Sequence, residues 1–171
     1  MLLLISTVLA LAIVTIYYEW HAIYYKFIRK KNTRYWVNYN ANPNKNNVGD
    51  CAIRAAAKVI HVPWDNVFDS FAAIAKKFKV TMDCNAVLER YLKLHKFEEI
   101  QIIPPKNWVK KKFGYISFYS FAQTHKKGTY VLIGRHDDLS ESMHAVALVN
   151  GKLYDTFDSG SYEVLRVFKK V

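Results

Sequence analysis

HAVALVNGKLYDTF, residues 144–157, is two apolar runs joined by Asn-Gly, and its reading decides the fold. Asn and Gly both tolerate the positive φ angles that a two-residue type I′ turn demands, so the runs are predicted to pair as a β-hairpin. With Asn150 and Gly151 as the loop, Val149 pairs with Lys152, and counting outward His144 falls opposite Phe157. Side chains alternate between the faces of a strand, so Asp155 lies on the same face as His144 and diagonal to it. The backbone separation is about 7 Å, which side chains can close to a hydrogen bond. Asp158 has the opposite parity. The hairpin therefore sets an imidazole beside one particular carboxylate.

The flanking segments extend this into an α+β domain. Residues 129–134 read as a strand, residues 162–168 as another, and residues 99–103 as a strand stopped by Pro104-Pro105, with a short helix over residues 117–125. Upstream the periodicity changes. Cys51–Ile60 is apolar except for Arg54 and Lys58, which at i and i+4 share one face, predicting a largely buried helix with a single exposed stripe. Asp50 is placed to cap it, and Gly49 lets the chain turn sharply into it. A second helix is predicted from Asp65, with Val67, Phe68, Phe71, Ile74, Ala75 and Phe78 at helical spacing, and a third after Asp83 as its cap. Helices first and antiparallel strands last predict helices packed on a C-terminal antiparallel sheet.

The chain has 171 residues, half of them hydrophobic, which suits one domain plus a tail or anchor and excludes a disordered or low-complexity protein. Two cysteines cannot build a disulfide framework, and neither lies in a zinc-ligand spacing, so no metal and no cofactor are expected. His136 beside Asp137 and Asp138 reads as a solvated loop, and Cys84 as a structural, half-buried thiol. Net charge is +11, unevenly placed: residues 104–135 hold seven basic residues and no acid, whereas residues 137–163 hold six acids against Lys152 alone. Without an RNA- or DNA-binding motif the lysines read as a solvated face, and no nucleic-acid partner is expected.

Residues 1–18 carry no charge and as a helix would be about 27 Å long, close to the roughly 30 Å of a hydrocarbon core. Tyr17, Tyr18, Trp20, Tyr24 and Tyr25 supply an interfacial aromatic cluster, and Lys26, Arg29, Lys30, Lys31 and Arg34 follow on one side only. The expected organisation is a single-pass transmembrane anchor with its basic juxtamembrane segment (1–31), a polar Asn-rich linker (32–47) and a folded domain (48–171). The positive-inside rule puts that domain in the cytoplasm. A cleaved signal peptide is the competing reading; Ala10-Leu11-Ala12 mimics a cleavage site, but no basic segment precedes the apolar run.

Cys51 opens its helix, where unpaired backbone N–H groups and the positive end of the helix dipole favour a thiolate. His144 is the candidate general base and then acid, and Asp155 its orienter, setting the tautomer and stabilising the imidazolium. The three are the candidates for a Cys-His-Asp triad, which would act through an acyl-thioester.

GDCAIRAAAKVIHVPWDNVF (49–68), KKGTYVLIG (126–134) and MHAVALVNGKLYDTFDSG (143–160) resemble, in that order, the signature blocks of small papain-like cysteine peptidase domains of phages and bacteria. The resemblance implies a papain-like fold in which Cys51 begins the central helix and His144 and Asp155 lie on the facing sheet. Papain-like enzymes usually place a Gln a few residues before the cysteine, its amide joining the Cys N–H as the oxyanion hole. This chain has none; Asn46 and Asn47 offer the same donor on a shorter arm, and Asn47 is the candidate. The sequence thus predicts a membrane-anchored papain-like thiol hydrolase acting on peptide or amide bonds, with protein the expected substrate. A different class is a catalytically weak or inactive scaffold serving as a membrane-surface binding module, which the missing Gln favours.

Overall fold

The computed structural model describes residues 34–46, 48–102, 116–136 and 142–171. The anchor reading of residues 1–31, the oxyanion candidate Asn47, Asp137 and Asp138, and the basic residues 106–112 lie outside them. Among the described residues no helix is long and apolar enough to cross a membrane.

The fold is α+β, with four helices and six strands among the described residues. In chain order these are β1 (Trp36–Asn38), α1 (Cys51–Ile60), α2 (Trp64–Phe78), α3 (Asn85–Leu94), β2 (Phe97–Ile100), α4 (Phe118–Thr124), β3 (Thr129–Arg135), β4 (His144–Val149), β5 (Lys152–Asp155) and β6 (Glu163–Lys170). The strands form one sheet in the order β1-β5-β4-β3-β6-β2. Helices α1 to α3 cover one face and α4 the other, which explains why β4 reads as a continuous apolar run. Ala145 and Ala147 face α1, while Val146 and Leu148 face Phe118 and Phe121 of α4. Helix α1 meets the sheet through Ala55, Ala56 and Ala57, so small residues oppose small residues and the helix seats close to β4.

The hairpin register is as the Asn-Gly turn requires: Val149 pairs with Lys152, Leu148 with Leu153 and Ala147 with Tyr154. Asn150 and Gly151 have φ of 50° and 75°. Beyond Ala147–Tyr154 the ladder stops.

The structure departs from the sequence reading in several places. The sheet is mixed, because Trp36–Asn38, within the stretch read as a polar linker, pairs in parallel with β5 as an edge strand. Three residues among asparagines give no alternation to detect, yet Trp36 is buried and anchors the segment. Arg54 does not share an exposed stripe with Lys58: it is buried against Asp50, and Lys58 lies over the ring of Tyr154 at 3.9 Å. Asp50 holds the N-cap position of α1 without capping it through its side chain, because its carboxylate is turned to Arg54, Asn42 and Trp64. Helix α2 starts at Trp64, directly after Pro63, and α3 is preceded by Cys84 rather than capped by Asp83, the intervening turn closing from Cys84 N to Thr81 O. Strand β2 begins earlier than expected, at buried Phe97, because Lys96 takes a φ of 62° and reverses the chain straight out of α3.

Candidate active site

Three elements meet at one end of the sheet. Helix α1 contributes Cys51 as its first residue, β4 contributes His144 as its first, and β5 contributes Asp155 as its last. Because β4 and β5 are antiparallel, the start of one adjoins the end of the other, and His144 Nε2 lies 2.6 Å from Asp155 Oδ2. The contact is the diagonal one. A carboxylate only accepts, so Nε2–H donates, leaving Nδ1 for the hydrogen bond between the imidazole and Cys51.

The thiol has two further partners, the backbone N–H groups of Ala52 and Ala145. The first comes from the opening turn of α1, where N–H groups have no partner within the helix. The second comes from β4. Hydrogen-bonded pairs alternate outward from a two-residue turn, so Ala145 would bond to β5 were the ladder to continue; it stops at Ala147, and the N–H turns to sulfur.

These contacts set the protonation. Burial alone would raise the Cys51 thiol, but the hydrogen bond and charge of His144 with the two N–H groups outweigh it, and its pKa lies below the ordinary value. Burial would lower the imidazole, but Asp155 and Cys51 prevail and raise it from 6.5 to about 9. The arrangement favours a thiolate-imidazolium pair.

Asp155 is itself fixed by two other groups: Ser159 Oγ donates to Oδ2 at 2.6 Å, and Thr156 N donates to Oδ1 at 2.8 Å. Ser159 is fully buried, and sequence reasoning missed it because Asp-Ser-Gly reads simply as a turn. Phe157 and Tyr162 enclose the imidazole, their ring centroids 5.0 and 5.5 Å from it. Asp158 faces elsewhere, accepting from the hydroxyl of Tyr119 and, at 3.1 Å, from Gly160 N.

Behind Cys51 lies a buried polar knot. Asp50 accepts from Arg54, from Trp64 Nε1 at 2.9 Å and from Asn42 Nδ2 at 3.1 Å, tying the approach to Cys51 to α1 and α2. The i, i+4 spacing of Asp50 and Arg54 was the available signal for it. The neighbouring asparagines are spent on their own loop: Asn40 Oδ1 accepts from Asn42 N and Asn42 Oδ1 from Asn44 N. Asn46 is exposed, and its carbonyl accepts from Asn40 Nδ2. Of the expected oxyanion donors the described residues thus supply the Cys51 N–H at the start of α1.

Cys84 is half-buried against the helical core. The described residues contain no group of three His, Cys, Asp or Glu placed to hold a metal ion. No protein-family model, curated protein or solved structure matches this chain.

Proposed function

We propose that the chain is a papain-like thiol hydrolase of peptide or amide bonds. The observation that carries the reading is the continuous relay from a lowered Cys51 thiol through His144 to buried Asp155. The Cys51 proton passes to His144, and the thiolate attacks the substrate carbonyl carbon. The imidazolium then gives its proton to the leaving amine as the C–N bond breaks, leaving an acyl-thioester on Cys51. Water, losing a proton to His144, attacks the thioester; Cys51 departs and the acid is released. Asp155 holds the ring throughout and stabilises its cationic form. The uncharged run 1–18, followed by basic residues, supports attachment of this domain to a membrane on the cytoplasmic side.

A cysteine-directed probe tests the enzyme reading. Cys51 should alkylate faster than Cys84 below about pH 7, and the difference should vanish in His144→Ala. Equal rates at both thiols in the folded wild type would leave the chain as a non-catalytic scaffold.

A further inference from the structure

A cavity of about 430 Å³ opens beside the N-terminus of α1, and its wall includes Asp50 and Ala52, the two chain neighbours of Cys51. Cys51 itself does not line the cavity, its thiol being turned to His144, but consecutive Cα atoms are about 3.8 Å apart, so the cavity borders the backbone that carries the thiol. Its lining is apolar, from Ile53, Trp64, Phe68, Phe71 and Met82. Trp64 and Phe68 stack at 5.0 Å, and Trp64 is fixed further by its bond to Asp50.

The same cavity is lined by Asp65 and Asp83, both exposed. Neither has an ion-pair partner among the described residues. Asp50 also lines it, but its carboxylate is committed to Arg54, Trp64 and Asn42. Lys45, between two lining asparagines, donates its ammonium to Asn40 O at 2.9 Å. In a chain of net charge +11 this opening is locally acidic.

We infer that the cavity selects the substrate side chain and takes a lysine or arginine, its alkyl stem along the aromatic wall and its cation at Asp65 and Asp83. The stem gains apolar burial, and the cation meets two carboxylates and the faces of the stacked rings. A purely apolar side chain would leave both carboxylates without a counter-charge, and an acidic one would be repelled. This rests on the hydrolase reading for its context, and its test separates the two.

The experiment uses dipeptidyl fluoromethyl ketones on the full-length chain, with lysine, norleucine or glutamate at each of the two positions in turn. Norleucine keeps the stem and removes the ammonium. At one position lysine should inactivate about tenfold faster than norleucine, with glutamate slowest, and the preference should shrink in about 0.5 M salt. Asp65→Asn/Asp83→Asn should bring the lysine-to-norleucine ratio to about one while leaving iodoacetamide alkylation of Cys51 unchanged. Norleucine matching lysine at both positions, or a lysine preference that survives the double substitution, overturns the inference and leaves the hydrolase intact. Binding of the Nα-acetyl methylamides of lysine and norleucine to Cys51→Ala protein reads the same ordering without chemistry. A wild-type thiol that fails to react, with lysine binding retained, therefore counts against the hydrolase alone.

Discussion

Asp155 Oδ2 accepts from both His144 Nε2 and Ser159 Oγ at 2.6 Å, and the carboxylate is 2% exposed while the imidazole is 13% exposed. One buried oxygen thus orients the imidazole and is itself held by a hydroxyl from the following turn. Asp155→Asn should lower kcat by up to about 10⁴-fold, since an amide neither fixes the tautomer nor stabilises the imidazolium as a carboxylate does. Ser159→Ala should cost far less, because Thr156 N still holds the other oxygen. Asp158→Asn should cost about 1 kcal/mol of stability through its bonds to Tyr119 and Gly160, with kcat nearly unchanged. Kinetics and denaturant unfolding on the three variants decide it; loss of turnover in Asp158→Asn at unchanged stability would move the orienting role.

The pH profile follows from the same contacts. The working pair needs Cys51 deprotonated and His144 protonated, so it forms as pH rises through the lowered thiol pKa and is lost as pH rises through about 9. Turnover should be bell-shaped. Alkylation of Cys51 should instead rise and level off, because it needs no acid. In Asp155→Asn the upper limb should move down towards 6.5, since the carboxylate that stabilises the imidazolium is gone.

Asp50 and Arg54 form a buried pair flanking Cys51 in the chain. Asp50→Ala strands a guanidinium in the core and should cost about 3–5 kcal/mol. Adding Arg54→Met should recover part of that loss, because the uncompensated charge is removed. Urea unfolding of both single variants and the double variant gives the coupling directly, and additive losses would count against it.

Gly134 pairs with His144 across β3 and β4, and β6 slips one residue against β3 at this point. A Cβ at Gly134 would fall 1.9 Å from Glu163 O and 2.6 Å from the Phe118 ring. Gly134→Ala should destabilise the fold by about 1–3 kcal/mol or more and depress turnover through its strand partner His144. Unchanged melting and turnover would mean the sheet yields here at no cost.

Local rules were sufficient where one local feature governed the geometry. The Asn-Gly turn sets the register, the register sets parity, and parity separates Asp155 from Asp158 without any tertiary contact. They failed where burial came from distant chain. Arg54 looked like a surface residue by helical period, and only its enclosure with Asp50, Asn42 and Trp64 makes it a core cation. Trp36–Asn38 looked like linker because a short edge strand takes its identity from β5, more than a hundred residues later. The Ala145 N–H was invisible for a third reason: it becomes a ligand of sulfur only because a ladder ends two residues away.

Cys51 lies on α1, whereas His144 and Asp155 lie on the β4–β5 hairpin, much later in the sequence. During synthesis the thiol therefore leaves the ribosome long before the groups that activate it exist, and it behaves as an ordinary cysteine until the hairpin docks beneath α1. The lowered thiol pKa is a property of the closed fold. The order of translation delays it until β4 and β5 have emerged, and loss of those strands to proteolysis would return the thiol to its ordinary state.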